Sequence, residues 1–180
     1  LYSYLAPDST YQLIEKAKIN SRMSMFRANY LKGMPKLAYI VTIPTYPLYA
    51  IPMYLKTSKD KDGQYYFMMK SSKQKPRNEN YFDGKIYVLI NGGSFSASCI
   101  ISSKLKENKN VTFVGEETGG AYNGTVAAQM PLVQLPNSKV NLKIGVALVS
   151  PTGKTDIEGR GIFPDKEIIP TIEDRKNNID

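Results

Sequence analysis

The chain changes character about half-way along. In the second half, apolar residues gather into short unbroken runs separated by glycine and small polar residues. Residues 85–91 are apolar throughout their middle, which predicts a strand covered on both faces. Gly92-Gly93 breaks the run, and residues 96–106 then place Ile100, Ile101 and Leu105 as the apolar positions of a helix. Residues 111–115 predict another short strand. Residues 126–135 and 140–149 flank Pro136-Asn137-Ser138 and predict a β-hairpin. Strand–helix–strand order predicts a parallel α/β unit.

The first half is less regular. Asp8, Ser9 and Thr10 supply capping side chains, Tyr11, Ile14, Ala17 and Lys18 recur at helical spacing, and Gly33 and Pro35 mark an end, so residues 8–32 predict a helix. Residues 37–55 are rich in Tyr, Ile and Val, but Pro44, Pro47 and Pro52 remove ladder donors. That pattern predicts irregular extended chain or short edge strands. Residues 64–70 predict a strand, 58–63 a polar turn and 71–81 a polar linker. There is no internal repeat, and every apolar run is strand-sized, too short to cross a membrane.

A length of 180 residues fits one domain, and 42% hydrophobic residues can bury a core. The net charge of +8 is scattered, with a mild cluster from Lys70 to Arg77 and no nucleic-acid-binding signature, so it reads as solvated surface. One cysteine, Cys99, excludes an internal disulfide. Beside Ile100 and Ile101 it reads as a packed small residue. The chain has no histidine, which excludes His-ligated zinc and a catalytic histidine within these residues. Gly115-Glu116-Glu117 lacks a partner ligand for a metal, and neither metal nor cofactor is called for. The opening Leu1-Tyr2-Ser3-Tyr4-Leu5 has no starting Met, basic flank or cleavage pattern, so it predicts a processed or partial chain without a signal peptide.

The chemistry concentrates in Val88-Leu89-Ile90-Asn91-Gly92-Gly93-Ser94-Phe95-Ser96-Ala97-Ser98-Cys99. A strand ends in glycines, and small hydroxyl residues open a helix. Free N–H groups and the helix dipole favour negative charge there. A serine so placed can attack a carbonyl while N–H groups hold the oxyanion. It can equally do no more than cap the helix.

The run Gly84-Lys85-Ile86-Tyr87-Val88-Leu89-Ile90-Asn91 followed by Ser96-Ala97-Ser98 resembles the nucleophile region of the C-terminal-processing (tail-specific) and tricorn-core serine peptidases. Val114-Gly115-Glu116-Glu117-Thr118-Gly119-Gly120 is similar to that family's Gly-Glu-x-Thr-x-Gly segment. Pro151-Thr152-Gly153 and Gly161-Ile162-Phe163-Pro164-Asp165 resemble its Pro-x-Gly and Gly-Ile/Val-x-Pro-Asp signatures. Four ordered motifs are far more specific than one. The resemblance covers residues 84–170, with 1–83 variable, and implies a crotonase-like/Clp-like α/β core in one catalytic domain over 1–180, incomplete at its N-terminus. It implies Ser96 as nucleophile and the Ala97 N–H as an oxyanion donor. Cys99 stands where the family usually has Glu.

Processing peptidases pair the serine with a lysine, but that position here is Ala121, and Lys143 and Lys154 lie outside the motif. A hydroxyl without a base is a poor nucleophile. The tricorn-like branch uses a Ser-His pair with a glutamate just before the Pro-Asp signature, and Glu158 matches that glutamate. Such a carboxylate fixes the imidazole tautomer. The resemblance therefore implies a Ser-His-Glu peptidase whose histidine, and a second oxyanion donor, lie upstream of Leu1. It further implies peptide or protein substrates, no nucleic-acid partner and an exported location, periplasmic, cell-surface or extracellular, and it leaves self-assembly open. The competing readings are a non-catalytic peptide- or ligand-binding module on the same fold and a crotonase-type acyl-CoA enzyme.

Overall fold

A computed structural model describes residues 1–25 and 36–177, with the side chains of 36–39 and 41 excepted. In chain order the strands are β1 (Thr10–Tyr11), β2 (Ile14–Ile19), β3 (Thr57–Lys59), β4 (Tyr65–Phe67), β5 (Lys75–Pro76), β6 (Ile86–Ile90), β7 (Val111–Gly115), β8 (Thr125–Ala127), β9 (Leu132–Gln134), β10 (Asn141–Lys143), β11 (Ala147–Pro151) and β12 (Lys166–Glu167). The α-helices are α1 (Lys36–Leu55), α2 (Ala97–Leu105) and α3 (Ile172–Lys176). The architecture is mixed α/β, in two compact units. The first is Leu1–Leu13, Gln74–Thr125 and Pro151–Asp180; the second is Ile14–Lys73 and Val126–Ser150.

The first unit holds the predicted parallel α/β element. Strands β6 and β7 pair in parallel from Ile86↔Val111 to Ile90↔Gly115, with α2 as the crossover, and β12 pairs in parallel on the other side of β7. Ile90, Cys99, Leu105, Phe113 and Ile162 form the core with Tyr2 and Ala6. Tyr2 donates to the Lys104 carbonyl at 3.5 Å, and burial pushes its phenol up to about 12. The expectation that residues 85–91 are covered on both faces is corrected. Ile90 is buried, but Tyr87 and Leu89 are 63% and 81% exposed, so only one face of the edge strand packs within this unit.

The second unit contains a five-stranded sheet, ordered β3-β4-β2-β11-β8. Along β11, Ala147, Val149 and Pro151 are buried at alternate positions, the period of a half-covered strand. The predicted hairpin forms around β9 and β10, where Gln134 faces Asn141 and Leu135 N–H donates to Val140 at 2.9 Å. Its outer arms become β8 and β11.

Two predictions in this half of the chain fail. Residues 8–25 are not helix but β1, β2 and a 3-10 turn at Arg22–Met25; the rest of the predicted helix, 26–32, lies outside the described residues. Ile14, Ala17 and Ile19 suit either period over so short a window. Pairing with β4, Ala17↔Phe67 and Ile19↔Tyr65, decides for a strand. Conversely, residues 36–55 are helix despite Pro44, Pro47 and Pro52. Each proline frees the carbonyl four residues earlier, at Ile40, Ile43 and Leu48. All three of those residues are exposed, which leaves room for water to satisfy the carbonyls. Side chains also tie the helix down. Tyr49 Oη donates to the Met25 carbonyl at 3.0 Å, and Arg22 donates to Tyr54 Oη at 2.6 Å with its guanidinium 4.5 Å from that ring's centre.

Phe113 is 0% exposed at the centre of the first unit. Phe113→Ala is expected to cost about 3–5 kcal/mol, the usual range for emptying such a position. Urea unfolding measures it, and a loss under about 1 kcal/mol would contradict this core.

Candidate active site

The turn between β6 and α2 is built by Asn91. Its Oδ1 accepts from Gly93 N–H at 2.9 Å and its carbonyl from Ser94 N–H at 2.9 Å, closing a tight loop where the apolar strand stops. Ser96 follows at the N-cap position of α2 with φ 54° and ψ −113°. A non-glycine residue at positive φ costs on the order of 1–3 kcal/mol and persists only when its surroundings enforce it. The capping alternative is not what the geometry shows. Ser96 makes no side-chain capping bond, whereas Ser98 Oγ donates to the Phe95 carbonyl at 2.6 Å and Ser94 Oγ accepts from Asn91 N–H at 3.4 Å. Ser96 is exposed. Ala97 is the first helical residue, where an N–H has no intrahelical acceptor.

A second segment holds this turn in place. Gly120 N–H donates to the Ser94 carbonyl at 2.9 Å, and the buried Cys99 thiol donates to the carbonyls of Ser94, 3.3 Å, and Gly120, 3.5 Å. A Cβ at Gly120 would lie 2.6 Å from Cys99 Sγ, so the approach requires glycine. Cys99 is thus a packed hydrogen-bonding residue, as its sequence neighbours predict.

A third segment holds the second. Glu117 accepts from Arg160 through both carboxylate oxygens, at 2.9 and 2.5 Å, and from Gly161 N–H at 2.7 Å. Thr118 N–H donates to the Ile162 carbonyl at 3.1 Å, Ile162 N–H returns to Thr118 Oγ1 at 2.8 Å, and Tyr122 N–H donates to the Arg160 carbonyl at 2.9 Å. A Cβ on Gly161 would sit 2.0 Å from the Thr118 carbonyl oxygen. Further along, Asp165 accepts from Phe113 N–H at 2.8 Å and pairs with Lys106. Thr152 Oγ1 donates to the Gln12 carbonyl at 2.8 Å. All four sequence motifs lie in one compact unit, and hydrogen bonds join three of them: the Ser96 turn, residues 117–122 and residues 160–162.

Ser96 and Ala97 sit together at the turn. Glu158 lies in an exposed turn beside Gly159, two residues before the Arg160 carbonyl that meets Tyr122. No hydrogen bond joins Glu158 to the Ser96 turn among the described residues. Ala121 is exposed and directly follows Gly120. Lys154 lines a small hollow with Tyr122, Gly161 and Phe163, and Lys143 lies on β10 in the other unit. The sequence treats Glu116 and Glu117 only as a weak metal candidate and does not foresee Arg160 at all. Both carboxylates are ion-paired, Glu116 to Arg175 at 2.7 Å. The Glu-x-Thr and Arg-Gly-Ile spacing carried the signal, but only as motifs, not as a pair.

The model of peptidase family S41 matches residues 37–168, well over half of the chain. The chain belongs to this family. A carboxy-terminal-processing protease from Bartonella bacilliformis is 33% identical over 95 residues, which are 53% of this chain and 20% of that protein. The chain thus spans about a fifth of the length of this curated relative. Among solved structures, mature CPAF complexed with lactacystin aligns over 99% of this chain and 38% of that one, at 18% identity and a TM-score of 0.58. A CPAF mutant aligns over 99% and 36%, at 16% identity and 0.55. These likenesses show a shared fold.

Two outcomes test this geometry. The Arg160 guanidinium, with the Gly161 N–H, holds the Glu117 carboxyl down at about 2 from an ordinary 4.5. A depressed carboxyl stabilises the fold above its ordinary value, and that contribution fades as pH falls from 4.5 towards 2. An NMR titration should show Glu117 still ionised at pH 3.5 (about thirty times more base than acid form at about 1.5 units above a pKa near 2). Protonation near 4.5 would mean the clasp is not formed.

The second outcome concerns the backbone at Ser96. Ser96→Gly should raise stability by about 1 kcal/mol by relieving the positive φ, while Ser96→Ala should leave it near the parent. A capping serine would give another order, with Ala about 1 kcal/mol worse and Gly nearly neutral. Denaturant midpoints of the three proteins separate the two.

Proposed function

We propose that this chain supplies the nucleophile-bearing part of a serine endopeptidase acting on protein or peptide substrates, on a crotonase-like core of which β6, α2 and β7 are the centre. The supporting observation is Ser96 itself. It occupies a costly left-handed conformation at a helix start, is exposed, and receives no capping bond in return. Strain without structural benefit is characteristic of a residue placed for chemistry.

In this reading the Ser96 hydroxyl oxygen attacks the peptide carbonyl carbon and a base takes its proton. The carbonyl oxygen becomes an anion facing the Ala97 N–H, where the helix dipole also stabilises it. Collapse breaks the C–N bond, the leaving amine takes the proton from the base, and water then hydrolyses the acyl-serine. The base is a histidine from outside these residues, since the chain contains none and Ala121 cannot accept a proton. Glu158 orients that histidine. Its exposed turn immediately precedes the Arg160–Ile162 segment clasped to residues 117–122, so a packed neighbour fixes its backbone. Export from the cytoplasm belongs to the same reading.

The test uses the protein extended to the length of its relatives, its Ser96→Ala and Glu158→Gln variants, and the 180-residue chain, all on one unfolded protein substrate. Ser96→Ala should abolish cleavage, Glu158→Gln should slow it by about 10³–10⁴ as for other histidine-orienting carboxylates, and the 180-residue chain should be inactive. Cleavage surviving Ser96→Ala overturns the nucleophile. Equal cleavage by both chain lengths, lost in each with Ser96→Ala, would place the base on Lys143 or Lys154. No cleavage by any form would favour the non-catalytic binding module.

A further inference from the structure

The second compact unit contains an open cavity of about 710 Å³, between α1, the chain after β4 and the chain after β8. That volume lies in the range of ligand sites, roughly 300–1,000 Å³. Met25, Met53, Met68 and Met69 line it, so its surface is apolar and adaptable. Lys56, Lys70 and Lys73 also line it, and no acidic side chain does. None of the three lysines has an ion-pair partner among the described residues. Gln129, another lining residue, has its Oε1 buried without a hydrogen-bond partner.

We propose that this cavity binds a peptide segment combining large apolar side chains with acidic ones, and that it holds substrate in addition to the Ser96 turn. The holding role rests on the peptidase reading; the binding does not. Each feature of the lining selects against a simpler occupant. Methionines accept apolar side chains of varied shape. Three uncompensated cations attract an anionic partner and favour more than one carboxylate over a single one. A fatty acid or a chain terminus brings only one. Burial leaves Gln129 Oε1 in need of a donor, which a peptide N–H supplies and a fatty acid lacks. The lysines therefore set the charge preference and the methionines admit a family of sequences.

The experiment measures fluorescence anisotropy of a labelled, C-terminally amidated peptide of about twelve residues alternating Leu or Phe with Glu, a length typical of groove-binding segments. It is titrated with the 180-residue chain. The acidic peptide should bind, and a control with Gln for every Glu should bind at least about tenfold more weakly. The double variant Lys70→Glu, Lys73→Glu should lose a similar factor with an unchanged circular dichroism spectrum, and added salt should weaken binding. Ser96→Ala should bind as the parent does. In the active longer protein, the lysine variant should raise KM for an acidic substrate and leave kcat unchanged.

Equal binding of the Glu and Gln peptides, no binding, or indifference to the lysine variant overturns the proposal. Oleate displacing the peptide at concentrations below the peptide's own Kd overturns it in favour of an amphiphile. Binding that survives while the longer protein proves to be no peptidase removes the holding role alone.

Discussion

Everything at the Ser96 turn depends on a chain of hydrogen bonds between segments far apart in sequence. Ile162 and Gly161 fasten residues 117–118, and residue 120 fastens the Ser94 carbonyl. Glu117 is the pivot, because one carboxylate accepts from a guanidinium and a backbone N–H together. Charge-assisted bonds of this type are stronger than neutral ones and also fix direction. The glycines at 120 and 161 are consequences of that closeness: any side chain there would overlap Cys99 Sγ or the Thr118 carbonyl.

This fastening is what a strained serine requires. The left-handed backbone at Ser96 would relax if the preceding turn could move. Asn91 closes the turn from inside, and the Gly120 N–H and the Cys99 thiol hold it from below. The hydrogen bonds thus fasten the turn that leads into Ser96, and Ser96 itself is left exposed. A preorganised group on a rigid element loses little on reacting, which is why such strain accompanies function.

The two compact units differ in the side chains they present. The first carries Ser96, at positive φ, at the start of α2 beside a small parallel sheet, with Tyr87 and Leu89 uncovered on one face of β6. The second carries methionines, and lysines with no ion-pair partner among the described residues, in a broad cavity. Membership of the S41 family covers parts of both, since the matched region begins at residue 37.

Some of this was decided by the amino-acid order alone. The unbroken apolar run at 86–90, the glycine stop after it and the helix from Ala97 depend on neighbours only a few residues apart, and so do the turn at 136–138 and the strand 111–115. The position of Ser96 at a helix start was legible for the same reason. Its positive φ was not, because the turn before it packs against residues 119–120, which lie outside the local sequence. Nor was the role of Glu117, whose partners Arg160 and Gly161 are more than forty residues away. Residues 14–19 became a strand because β4 and β11 flank them, and residues 36–55 became a helix because water and two tyrosine anchors offset three prolines. Local propensity is a difference of about 1 kcal/mol per residue, or about 3 at a proline, and non-local pairing and solvation exceed it wherever the local pattern is ambiguous.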